Sequence, residues 1–141
     1  MKTIKGSLYL LMGVLIASGI ANAQTVIKKV PAKPTVAVEG KVLFHDYCAV
    51  CHGPDGKGNG PAAAALKTPP SDLTQMARQN NGRFDDERVL RILNGVQSVP
   101  AHGSKDMPTW GTILNNMTTN PGMAQARIHA LVQFLDEMQV K

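Results

Sequence analysis

Cys48-Ala49-Val50-Cys51-His52 holds both cysteines of the chain and one of its four histidines in five residues. Two thiols three positions apart with an adjacent imidazole suggest three kinds of chemistry. A redox-active thiol pair is expected in a strand–helix–strand context, and nothing around the motif alternates like a strand. A zinc site of this type usually takes a second pair of ligands, and there is no further cysteine. The third reading is covalent haem attachment, which Cys-x-x-Cys-His signals directly. Each thiol then adds to a haem vinyl group, and the two-residue spacer suits the distance between the vinyls. His52 would be carried under the iron as proximal ligand.

Such a motif needs elements to position it. Val42, Leu43 and Tyr47 recur near helical spacing with Phe44 beside them, so a helix is expected to run into Cys48. Gly40 and Phe44, four apart, share one of its faces. Near the other end of the chain, Gly122 to Gln139 reads as a longer amphipathic helix. Its apolar positions are Ile128, Leu131, Val132, Leu135 and Met138, with Phe134 at the edge. Asn120 suits its N-cap and Pro121 its first helical residue. A third helix is expected over Asp85 to Asn94, with Asp85 as cap and Val89, Leu90, Ile92 and Leu93 as core face. Ala62 to Lys67 is expected to form a short helical turn.

With these elements in place the sequence resembles the class I cytochrome c family. In that family the first and last helices cross closely, with a glycine eight residues before the first haem cysteine and an aromatic four before it. Gly40 and Phe44 stand at those positions. Leu131 and Phe134 match the apolar–aromatic pair on the last helix. The glycine has a physical purpose, since two backbones can approach closely only where no Cβ intervenes. The resemblance implies an all-α cytochrome c fold, with about four to five short helices around one covalently bound haem c.

It also implies roles for two further segments. Gly53-Pro54-Asp55-Gly56-Lys57-Gly58-Asn59-Gly60-Pro61 should be a tight, irregular loop, like the one that comes after the haem motif in small bacterial cytochromes. A phosphate-binding role is discounted, because the loop lacks a Gly-Lys-Ser/Thr ending and is preceded by no strand. Thr68-Pro69-Pro70-Ser71-Asp72-Leu73 is similar to the family segment whose proline carbonyl accepts a hydrogen bond from the proximal histidine. Pro69 and Pro70 are both candidates. Such a bond fixes the ring plane and makes the ligand more basic.

The distal ligand is sought among Met76, Met107, Met117, Met123 and Met138, and among His45, His102 and His129. Most methionines fill gaps in cores. Met107 lies in a non-periodic loop, Gly103 to Gly111, and Met107-Pro108-Thr109-Trp110-Gly111 is similar to the family's distal methionine run. Proline there stiffens the loop. Met107 is therefore the expected distal ligand and His102 its main competitor; His45 and His129 are expected to face solvent or to pack.

The remaining sequence bounds the domain and its setting. The chain has 141 residues, enough for one domain. Lys2 and Lys5, an uncharged run from Leu8 to Ile20, and Ala21-Asn22-Ala23 form a secretory signal, with cleavage expected after Ala23. The run is short of the roughly 20 residues of a bilayer span. Residues 24–37 read as a flexible lead-in and residues 38–141 as the cytochrome domain. Removing Lys2 and Lys5 leaves 13 basic residues against 10 acidic ones, a formal +3, with no basic cluster to suit nucleic acid. Aromatic residues make up only 4% of the chain, so a large apolar cofactor would supply much of the core.

The expected function is single-electron transfer by a periplasmic monohaem protein with His/Met ligation and no catalytic residues. Partners would be a periplasmic dehydrogenase, a bc1-type complex, or a terminal oxidase or reductase, with the chain either a free carrier or a dedicated haem subunit. The alternative is a five-coordinate haem protein that binds a small ligand or peroxide, which requires that Met107 leave the iron alone.

Overall fold

The structure is a computed structural model and describes residues 38–97 and 107–140. The signal segment, the lead-in and His102 lie outside these residues. The described part is helical, with no strand among the described residues. In chain order the α-helices are α1 (Gly40–Leu43), α2 (Ala49–His52), α3 (Met76–Gln79), α4 (Asp86–Leu93), α5 (Trp110–Asn116) and α6 (Pro121–Glu137). Short 3-10 turns occupy Ala63–Ala65 and Leu73–Gln75.

α1 and α2 are two ends of one helical run, joined by a π turn over Phe44–Cys48. A π turn holds one residue more than its α counterpart and so shifts the register of the residues after it. Before the shift Leu43 and Phe44 are buried in the core, and after it Cys51 and His52 line a cleft. The helix into Cys48 is thus present as the sequence suggests, and it continues through the haem motif.

α6 organises the fold, packing against α1, α4 and α5. Its start shows the expected chemistry: Asn120 Oδ1 accepts from the Gly122 amide at 3.0 Å, and Pro121 occupies the first turn. Its buried face carries Ile128, Leu131, Val132 and Leu135. α1 crosses it at the glycine. A Cβ on Gly40 would overlap the Ala130 carbonyl oxygen and lie 2.8 Å from Phe134 Cβ. Phe44 and Phe134 fill the crossing, with ring centroids 5.4 Å apart and planes tilted by 51°. This offset arrangement suits the ring quadrupoles.

α4 begins as expected, with the Asp85 carboxylate accepting from the Arg88 amide at 2.9 Å. α5 is a correction, because its first residues fall in a segment expected to be loop. Trp110 and Leu114, one turn apart, bury its inner side. Trp110 also stacks obliquely on Tyr47 at 5.5 Å. Leu73–Gln75 and α3 form a second helical stretch that periodicity does not reveal, started by Asp72, whose carboxylate accepts from the Thr74 amide.

Candidate haem-binding cleft

The helical run from α1 to α2 delivers the motif to the wall of a cleft lined by Cys48, Cys51 and His52. The glycine-rich loop then folds back on the end of α2. Amides of Gly58, Gly60 and Ala62 donate to the carbonyls of His52, Cys51 and Val50 at 2.7, 3.1 and 2.9 Å. Those carbonyls would otherwise be left over at a helix C-terminus. Gly58 has φ of +82°, and a Cβ there would strike the Pro70 carbonyl. Both features require glycine at this position.

His52 is buried. Its Nδ1 lies 3.2 Å from the carbonyl oxygen of Ser71. With the proton on Nδ1 the ring donates to Ser71, which leaves Nε2 with the lone pair a metal would take. This corrects the expectation placed on Pro69 and Pro70. Both prolines line the cleft, but the carbonyl of Pro70 is turned against Gly58. The acceptor is supplied one residue beyond the pair.

Burial pushes the Cys48 thiol up to about 12, and the neighbouring Cys51 adds to the rise. A nucleophilic thiol instead has a lowered pKa that favours thiolate, so Cys48 is not of that kind. Cys48 and Cys51 are not joined to each other as a disulfide. Among the described residues no three His, Cys, Asp or Glu side chains gather as a metal cage.

The remaining walls are mostly apolar. Leu66, Pro69, Pro70, Leu73 and Met76 come from the segment after the loop. Val89, Ile92 and Leu93 come from α4, and Leu131 and Leu135 from α6. Met107, Pro108 and Trp110 line it as well. The cleft is open at its mouth, and the space between its walls, open solvent included, is about 930 Å³. An apolar cleft with two thiols and an imidazole on one wall fits a haem: the walls would take the macrocycle, the thiols its vinyl groups and the imidazole its iron.

Met107 is half-buried, packs on the core and lines the cleft. Met76 lines it too, although its sequence context suggests only gap filling. Met117, Met123 and Met138 are not among the lining residues. His45 and His129 are exposed, as expected.

Comparison with curated proteins and with solved structures returned no match. A family model described as Cytochrome c matches residues 37–139, most of the chain. The helix crossing, the cleft and this match lead to one conclusion: the chain belongs to the cytochrome c family, whose members carry covalently attached haem c and transfer electrons through it.

Proposed function

We propose that the protein is a periplasmic single-electron carrier with one haem c, held by thioether bonds to Cys48 and Cys51 and by His52 and Met107 as axial ligands. The observation that carries this reading is that His52 and Met107 line the same apolar cleft as the two cysteines. When bound, the haem supplies one-electron chemistry, its iron alternating between ferrous and ferric.

The residues of the chain set the conditions for that chemistry. The thioether bonds prevent loss of the group. The Ser71 carbonyl holds the His52 ring in one tautomer and strengthens it as a ligand. A methionine thioether, soft and neutral, favours the ferrous state and raises the potential. Leu73, Leu93, Leu131 and Leu135 keep water from the apolar cleft and so limit reorganisation when the charge changes. Export through the signal segment suits attachment of haem outside the cytoplasm. Redox partners would be a periplasmic dehydrogenase, a bc1-type complex, or a terminal oxidase or reductase, served by either a soluble carrier or a dedicated haem subunit.

Visible spectroscopy with carbon monoxide tests the ligation. The ferric protein should show a methionine–iron charge-transfer band that Met107→Ala abolishes, and the ferrous protein should bind carbon monoxide slowly until that substitution is made. Rapid carbon monoxide binding by the unaltered protein would favour the five-coordinate alternative. A band that survives Met107→Ala and disappears in Met76→Ala would move the distal ligand to Met76.

A further inference from the structure

The residues just after α6 reach across to the segment that carries the Ser71 carbonyl. Gln139 lies beyond the end of the helix, yet its side chain makes three hydrogen bonds. Its Nε2 donates to the Leu73 carbonyl at 2.9 Å and to the Leu135 carbonyl at 2.6 Å. Its Oε1 accepts from the Ala77 amide at 2.9 Å. One side chain thus joins the last turn of α6 to both ends of the Leu73–Ala77 stretch. The Val140 amide adds a bond to the Thr74 carbonyl at 2.9 Å.

The clamped stretch starts two residues after Ser71. Leu73 is held on its other side as well, its amide donating to the Gly56 carbonyl at 2.7 Å. Asp72 is tied to Thr74 through both the amide and the hydroxyl, at 2.9 and 2.6 Å. Little slack remains between the Gln139 clamp and the Ser71 carbonyl. A backbone acceptor has no side chain to steer it, so its position depends on how its own segment is held.

We propose that Gln139 is a positioning residue for the proximal ligand: by clamping Leu73–Ala77 to α6 it holds the Ser71 carbonyl against His52 Nδ1. The inference rests on His52 being the proximal ligand. Loss of the clamp lets the carbonyl drift, weakens the hydrogen bond and lowers the basicity of the imidazole. A less basic ligand stabilises ferric iron less, so the reduction potential rises.

The test uses the exported, haem-loaded protein with Gln139→Ala and Gln139→Met, the second filling similar space without hydrogen bonds. Asn120→Ala is the control, since it removes a cap at the opposite end of α6. The readouts are the reduction potential and solvent exchange of the His52 Nδ1 proton by NMR. Both Gln139 variants should raise the potential and speed exchange on the order of tenfold, the scale of losing one or two hydrogen bonds. Asn120→Ala should lower stability and leave both readouts unchanged. Gln139 variants that match the control in both readouts overturn the inference, even where they unfold more easily. His52→Ala separates the two claims. If it leaves the haem spectrum unaltered, His52 is not the ligand and both readings fall; if it changes the spectrum while the Gln139 variants match the control, only the role of Gln139 falls.

Discussion

Gly40→Ala puts the helix crossing under the most direct strain. The new Cβ would overlap the Ala130 carbonyl oxygen and lie 2.7 Å from the Ala130 carbonyl carbon and 2.8 Å from Phe134 Cβ. Carbon atoms in ordinary contact sit about 3.5–4.0 Å apart, so α1 must retreat by roughly 1 Å. The principal obstacle is main chain and has no rotamer to change. A gap of about 0.5–1 Å along a packed seam forfeits a quarter to a half of the dispersion energy there, and overpacking of this kind costs about 1–3 kcal/mol. Alanine returns at most about 1 kcal/mol of helix propensity, and less at Gly40, the first residue of α1. The net expectation is a loss of about 2 kcal/mol, which lowers Tm by roughly 10 °C in a domain of this size. Urea unfolding of the haem-loaded protein, monitored by circular dichroism, measures it. Phe134→Ala should not rescue Gly40→Ala, because the Phe134 Cβ and the Ala130 carbonyl both remain. A Gly40→Ala protein within about 0.5 kcal/mol of the unaltered one, the usual range for surface changes, would refute the close approach.

Leu114→Ala tests the packing of the unexpected helix: Leu114 is fully buried on α5, so truncation should cost about 2–5 kcal/mol in urea unfolding, whereas an exposed residue would lose far less. Asp85→Ala removes the carboxylate that caps α4 and should cost about 0.5–2 kcal/mol with no change in the haem spectrum. Replacing both Cys48 and Cys51 with alanine should abolish covalent haem and leave a chain with little cooperative unfolding, since the cleft that the haem fills lies at the centre of the core; acid extraction and thermal melts check both outcomes.

The sequence is most informative where a residue type has few physical explanations. Gly40 can be read because close backbone approach excludes a Cβ, and the structure puts a main-chain carbonyl where that Cβ would be. Asp85 and Asn120 are readable as caps because their side chains satisfy amides close to them in sequence. α5 escapes notice because seven residues offer only two core positions, Trp110 and Leu114, too few for a period. The π turn leaves no trace, since it alters the register without requiring a particular residue type. The Ser71 carbonyl and the Gln139 clamp are hidden for a related reason. One is a main-chain group that every residue carries, and the other depends on partners 62 and 66 positions away.

Mass spectrometry of the exported protein after acidic organic extraction tests the central claim most directly. One haem should stay on each chain and map to the peptide that contains Cys48 and Cys51. A haem that extracts freely, or a Cys48–Cys51 peptide of unmodified mass, would contradict the account.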